Sequence, residues 1–573
     1  MSNALLTFFT ENLSDPVLRR WRLGRLLGRW PAVKEPEAQL KPFLDGLAGF
    51  AAAPPAAGLP DLTRRMPRRP ARLLLAGREV ELQPTRTAAV FQAALPAAAQ
   101  HALQTFSWLP RQSDLAPEGV SELWRAWVDR APRPGQGDAV WHPDITAQRA
   151  VNLLDFARRA GLPGPRKKTL EVLGAHLRLI LERLDYRLGT GAVTQGHAVY
   201  RLGLDLGEEA AAQHGMAILT TEARRLIGRS GVVLAESTGQ HLRLTRCYAD
   251  AWLAARRHGR PDVARLAAFL RPMLAVVPVL TLPGGLPEIG DMPGDWSADM
   301  LGCLCPGGDP ATGWGALLTA EERTALASLR DGTALYDLDL LRGDGWLRAD
   351  FGPWSGLWHA APQGWSGITG QGHQDLGACE LHFGGRPLFV DPGSPPPFGD
   401  RRAAELVRTA AAHGGLTLAG HDPYPAARPF YSDDFRREIA GLPPVLVPEH
   451  DGVSLAFDSY RRLGGPRQCL RRWRFGDGAL VLDDRILGTG RYLVERRFIT
   501  PMVAVVESNG VMLIDGSRKF RITGDAPAVV HKGCRWAPDG TELPLTLVVF
   551  AARCNLPWQG RLTVTPITDD DAG

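Results

Sequence analysis

Lysine is almost missing: six residues against sixty arginines in a chain of 573. Basic and acidic side chains number 66 and 61, so the net charge is only +5. That field is too weak to mark a nucleic-acid partner. Cysteine is scarce too, seven in all, which excludes a small disulfide-stapled scaffold. Cys303 and Cys305 form a C-x-C with no second pair at ribbon spacing, so a zinc ribbon is not expected. Long apolar runs are absent as well. The longest, Met273 to Leu282, contains Pro278 and at about ten residues is too short to span a bilayer. Residues 1–30 carry Leu5, Leu6, Phe8 and Phe9, then Glu11 and Asp15, without the charged start, apolar centre and small-residue cleavage site of a signal peptide. A cytoplasmic protein is expected, with the periplasm or cell envelope as the alternative.

What is present is an ordinary globular composition, 45% hydrophobic and 22% charged, enough for a sizeable core. From Asp15 to about Ala275 apolar residues recur at three and four, as in Leu170, Leu173, Leu177, Ile180 and Leu184. The expectation is an all-α half. Pro283 to Gly313 is rich in Gly and Pro with little period, and reads as a functional connector or lid. Beyond Thr333 short alternating runs such as Trp346–Phe351, Cys379–Phe383, Ala479–Leu482 and Leu545–Phe550 are separated by turns such as Asn509-Gly510, predicting a large antiparallel β-domain. The division expected is a helical region with loop arms over 1–130, a helical domain with its connector over 131–330, and the β-domain over 331–573. No solenoid-type repeat is found.

Chemistry-bearing residues gather in one stretch. His373, Asp391 and His413, spaced by 18 and 22 residues, form a His/Asp/His set suited to a zinc-type site with one open position. The spacing fits neighbouring strands or their rims. Two imidazoles and a carboxylate over forty residues are, by themselves, more often satisfied core or surface groups.

The surrounding motifs, "GHQDLGACELHFGGRPLFVDPG" and "RTAAAHGGLTLAGHDP", resemble the heparinase II/III family of polysaccharide lyases. That family reads approximately H-x-H-x-D, a short strand, V-D-P-G, then an arginine and a final histidine. The resemblance implies an α+β multidomain architecture: an incomplete (α/α) toroid followed by an antiparallel β-sandwich. It implies β-elimination on an acidic, uronic-acid-containing glycan such as a glycosaminoglycan. The reaction requires that the uronate carboxylate be neutralised, the C5 proton removed and the leaving oxygen protonated. A structural metal, zinc by its ligand types, is implied at His373, Asp391 and His413.

Carried over residue by residue, the match is partial. The first histidine of H-x-H aligns with Gln371, which cannot exchange a proton at neutral pH. In "ESTGQHLRL" Gln240 stands where the family has its catalytic tyrosine, with His241 beside it, and in "RLDYRLGTGAVTQGHAVYRLGLDLG", which resembles another helical stretch of the family, His197 follows Gln195. His241 and His197 are therefore the candidate proton carriers; Gln195, Gln240 and Gln371 are candidate amide donors to the substrate. Arg408 is a candidate fork for an acidic sugar. The plainer alternatives are packed or capping histidines, ordinary glutamines and an arginine tied to a neighbouring carboxylate. Tyr200 and Tyr248 are considered as replacements for the phenol, and Trp354, Trp358 and Trp365 as sugar platforms or core. Two functions stay open, a lyase and a non-catalytic glycan-binding or assembly protein that keeps the cleft without the chemistry. A hydrolase using Asp375 and Glu380 has no support beyond the carboxylates themselves. Neither a nucleic acid nor a membrane span is expected.

Overall fold

A computed structural model describes residues 71–82, 87–111, 116–130, 139–184, 189–293, 299–331, 336–362, 372–395, 401–425, 441–476, 478–537 and 541–567, with a few isolated positions before 71. The described elements begin with a hairpin, β1 (Ala71–Leu75) and β2 (Arg78–Leu82), which corrects the expectation of an all-α first half. Leu73, Leu75 and Leu82 face the core, and Ala76-Gly77 turn the chain with positive φ, the backbone a two-residue hairpin needs.

Helices follow: α1 (Ala97–Thr105), α2 (Pro117–Arg130), α3 (Pro143–Ala160), α4 (Arg166–Glu182), α5 (Gly191–Leu206), α6 (Glu209–Leu226), α7 (Thr238–Arg257), α8 (Val263–Leu280), α9 (Ala320–Asp331) and α10 (Leu338–Gly343). Trp124 and Trp127 of α2 share one apolar cluster with Leu153 and Phe156 of α3 and Leu179 of α4. Helices on both sides of residue 131 therefore pack as one body. The tightest pair is α5 with α6. A Cβ on Gly203 would lie 2.3 Å from the Ala212 nitrogen, and one on Gly215 would lie 2.3 Å from that of Tyr200; only glycine lets these backbones touch. By length and composition α8 could cross a membrane. Here it turns Leu266, Leu270, Met273, Leu274 and Val277 into the helical core.

The C-terminal part is antiparallel throughout. One sheet runs β3 (Trp346–Phe351), β4 (Trp354–His359), β5 (Cys379–Phe383), β6 (Arg386–Phe389). After the short helix α11 (Arg401–Leu406), strands β7 (Leu416–Leu418), β8 (Val445–Glu449), β9 (Gly452–Phe457), β10 (Pro466–Gly476), β11 (Ala479–Gly488), β12 (Arg491–Thr500), β13 (Val503–Glu507), β14 (Gly510–Asp515), β15 (Arg518–Gly524), β16 (Ala528–Trp536), β17 (Glu542–Asn555) and β18 (Trp558–Ile567) build two more. Their orders are β13-β14-β15-β18-β11-β10-β9-β8 and β16-β17-β12-β7. Apolar side chains of all three sheets form one core, which holds Trp354 and Trp358. These two tryptophans are core, not sugar platforms; Trp365 lies outside the described residues.

The halves are joined by more than a linker. Val276 and Leu280 of α8, Ile289, Leu341 of α10, Trp346 of β3 and Leu357 of β4 make a shared apolar cluster. A strap, residues 282–293, threads this seam. On one side the Thr238 amide donates to the Ile289 carbonyl at 3.2 Å and the Ser237 hydroxyl to the Asp291 carbonyl at 2.7 Å. On the other, the Met292 amide donates to the Ser394 hydroxyl at 2.7 Å and the Gly284 amide to His382 Nδ1 at 3.0 Å.

Candidate functional site

Strand geometry brings the three distant ligand candidates together. His373 precedes β5, Asp391 follows β6, and His413 lies just before β7. One donor atom from each lies within 4.8 Å of the others. The second nitrogen of each ring is already committed. His413 Nε2 donates to the Val407 carbonyl at 2.7 Å, so Nδ1 keeps a lone pair, and it faces Asp391 Oδ2 at 2.8 Å. His373 Nε2 donates to Asp291 Oδ1 at 3.3 Å, leaving Nδ1 buried without a partner. With both rings neutral, two imidazole lone pairs and a carboxylate converge on one point; with no cation there, His413 takes up a proton and donates Nδ1–H to Asp391. Burial opposes charge on His413, but the adjacent Asp391 carboxylate wins and lifts its pKa to about 9. A positive charge is what this pocket demands. The donor set and the unpartnered His373 nitrogen fit a divalent metal such as zinc.

Further groups are fixed around the trio. Asp391 accepts the Gly393 amide at 2.9 Å, while its own amide donates to Glu380 at 2.7 Å. Arg408 forks onto Asp291, both contacts 3.0 Å. The arginine expected to meet the substrate is thus tied to a carboxylate, the plainer of its two alternatives. Burial would raise the Asp291 pKa, yet His373 and then Arg408 hold it below the usual range.

Two seam residues went unassigned in the sequence. Asp291 is one; the other is His359, at the end of β4. Its Nδ1 lies 3.3 Å from Asp375 Oδ2, and its Nε2 is buried with no partner. Burial disfavours the imidazolium, but Asp375 and, further off, Glu236 raise its pKa. Glu236 itself sits on left-handed backbone, φ +54, a conformation costly for a side chain of that size. Among the described residues, His359 Nε2 and His373 Nδ1 are the two buried imidazole nitrogens without a hydrogen-bond partner. A histidine sixteen residues ahead of the motif aspartate was the available signal.

The helical candidates fare differently. His241 is buried; Nδ1 accepts the Val233 amide at 3.2 Å and Nε2 donates to the Met273 carbonyl at 3.1 Å. Burial lowers its pKa to about 4. With both nitrogens bonded to backbone, the proton-carrier role expected for His241 gives way to a structural one. His197 is buried against Asp250 at 2.7 Å. Burial alone would keep it neutral, but the Cys247 sulfur and Asp250 raise its pKa. It belongs to an ion cluster inside the helices, apart from the trio. Tyr248 donates to the Leu219 carbonyl and Tyr200 to Asp262, so neither supplies the missing phenol. Gln371 lies outside the described residues.

Gln195 and Gln240 mark one end of the helical layer. Gln195 Nε2 donates to Asp144 at the start of α3, 2.7 Å away. The side-chain oxygen of Gln240 accepts from the Thr190 hydroxyl, just before α5, at 3.4 Å, and among the described residues its side-chain N–H groups have no partner. The amino ends of α3, α5 and α7 therefore meet here, beside the strap. A separate surface hollow of about 710 Å³, lined by Trp252, Arg256, Arg271, Thr324 and Ser328 among others, opens at the opposite end of α7.

Comparison with known proteins places this geometry. Residues 335–546 match the heparinase II/III-like C-terminal family. Over 82% of this chain and 76% of the other, the structure resembles heparinase III at 16% identity and a TM-score of 0.57. A second heparinase III gene product aligns with 99% of this chain and 94% of its own, at 17% identity and a TM-score of 0.54. The heparan sulfate lyase HepC from Pedobacter heparinus aligns at 15% identity and a TM-score of 0.50, over 85% and 79%. A search of curated protein sequences gives no match. The chain has the two-part fold of polysaccharide lyases, helices followed by antiparallel sheets.

Proposed function

We propose that this chain is a polysaccharide lyase that cleaves a uronic-acid-containing glycan by β-elimination where the amino ends of α3, α5 and α7 face the β-half. The observation that carries the reading is the convergence of His373, Asp391 and His413 on a lyase-like fold, near a third imidazole, His359, that keeps an unused nitrogen. The trio would hold a divalent metal, zinc by its donors, whose charge offsets the buried Asp391 and braces the β-side wall. At the helical wall, the free amide donors of Gln240 and three helix amino ends supply positive potential for a uronate carboxylate. Gln195 positions that wall through Asp144, and Gln371 is assigned to substrate contact. His359 donates Nδ1–H to Asp375, so its Nε2 lone pair is the base for the C5 proton.

The test is incubation with heparan, chondroitin, alginate and glucuronan, followed in the near ultraviolet, where the C4–C5 double bond of a lyase product absorbs. A rise with one of them, lost at least about a hundredfold in His359→Gln, is expected. The second reading, a non-catalytic glycan-binding protein of the cytoplasm or envelope, is favoured by the locked state of His241 and His197. Absorbance flat across the panel, with binding to one glycan retained, would establish it.

A further inference from the structure

The strap contributes one side chain to the β-half's polar pocket, and that side chain is Asp291. Its carboxylate accepts from His373 Nε2 at 3.3 Å and, at each of its two oxygens, from Arg408 Nη2 at 3.0 Å. Only 15% of the side chain is exposed, so these bonds are poorly screened by water. A carboxylate on the far nitrogen of a ligand histidine fixes the tautomer, aims the ring and makes the near nitrogen a better donor. The buried, partnerless Nδ1 of His373 is in the state such a partner creates. The same residue faces the helices through its main chain: the Asp291 carbonyl accepts from Ser237 at 2.7 Å. Ser237 in turn caps α7, accepting the Gln240 amide at 3.1 Å. An unbroken path of bonded groups therefore runs from His373 through Asp291 and Ser237 to Gln240, across the seam.

We infer that Asp291 is the positioning residue that sets His373 for metal binding, and that metal loading thereby fastens the strap, and with it the start of α7, to the β-half. This rests on the metal reading of the trio given above. Arg408 has its place in it: the guanidinium holds the Asp291 carboxylate in line with the ring, replacing the substrate contact expected from the sequence.

The experiment uses the full chain and zinc alone, with affinity measured by competition against a chelating indicator and amide exchange followed by mass spectrometry. Asp291→Asn, which keeps the shape and loses the charge, is expected to weaken zinc binding 10- to 100-fold, and Asp291→Glu to recover most of the loss. Zinc should slow exchange over residues 288–293 and 237–241 in the natural chain and leave it unchanged in Asp291→Asn at saturating metal. Should Asp291→Asn fail to fold, Arg408→Gln leaves the carboxylate in place but untethered, and a several-fold weakening is expected. Zinc affinity equal to that of the natural chain in these variants overturns the role of Asp291 while leaving the trio intact. A natural chain that binds no zinc, or binds it equally well as His373→Ala, overturns the metal reading and this inference together.

Discussion

Two buried polar groups in this molecule follow opposite rules. Inside the helices, fully buried Arg201 meets Asp155 at 2.9 Å, Asp205 at 3.3 Å and also Asp250. Arg246 adds a contact to Asp155 at 3.1 Å and His197 one to Asp250 at 2.7 Å. Burial disfavours every one of these charges, yet their partners prevail, raising the Arg201 pKa and lowering those of Asp205 and Asp250. Opposite signs alternate and the cluster is nearly saturated; among the described residues Asp250 Oδ1 remains without a hydrogen bond. At the seam, by contrast, Asp391 is answered by a borrowed proton on His413 and the His373 Nδ1 by nothing. A cluster that answers its own charges has nothing to offer a ligand, whereas one left short of a cation does.

Mutation of one arginine and one histidine would break or sharpen that contrast. Arg201→Ala strands three carboxylates in a dry core and should cost about 3–5 kcal/mol, the range for removing one partner of a buried pair. His373→Ala in metal-free protein removes a side chain whose Nδ1 was already unpartnered, and should cost far less while ending zinc binding. Urea unfolding of the two variants decides the matter. Equal losses would mean that the helical cluster is no more structural than the seam.

The second contrast is between imidazoles. His241 is held neutral, its pKa lowered by burial from 6.5 to about 4. Between those values the unfolded chain takes up a proton that the folded chain refuses, so stability rises with pH across this window. The contribution is intact above pH 6.5 and is lost as pH falls toward 4. At about 1.4 kcal/mol per unit, the loss approaches about 3 kcal/mol. His176, lowered by burial and by Arg149, acts in the same sense. Unfolding measured from pH 7 to 4 should show a flatter slope in His241→Gln than in the natural chain, and an unchanged slope would refute the neutral assignment.

The same contrasts separate what the sequence reveals from what only the fold decides. Periodicity reported helices and strands because burial on one face is local information. The hairpin at residues 71–82 escaped because it is brief and stands next to a proline-rich stretch. The His373/Asp391/His413 set could be proposed through its resemblance to a family motif, because spacing alone left satisfied core or surface groups as the commoner reading; the fold brings the three together near strand ends. Whether an imidazole nitrogen is free is not local: His241 is closed off by Met273, 32 residues away, and His373 is oriented by Asp291, 82 residues away. Arg408 and Asp291 are 117 residues apart, so the sequence could offer the pairing only as a general alternative. Residue identity named the chemistry; the fold decided which atoms were left to perform it.

The smallest effect tests the same principle at the surface. Arg260 forks onto Glu209 at 2.7 and 2.8 Å, shorter than the Arg201–Asp155 contact, and the two residues link the start of α6 to the turn after α7. Judged by distance alone this pair would be the stronger. Yet more than half of the Glu209 side chain is exposed, so water and salt answer the charge once its partner is gone. Glu209→Ala should therefore cost no more than about 1 kcal/mol, and less at 0.5 M salt, against the several lost at Arg201. Were the two substitutions to prove equally damaging in the same urea series, desolvation could not be what separates the helical cluster from the surface, and geometry alone would have to account for both.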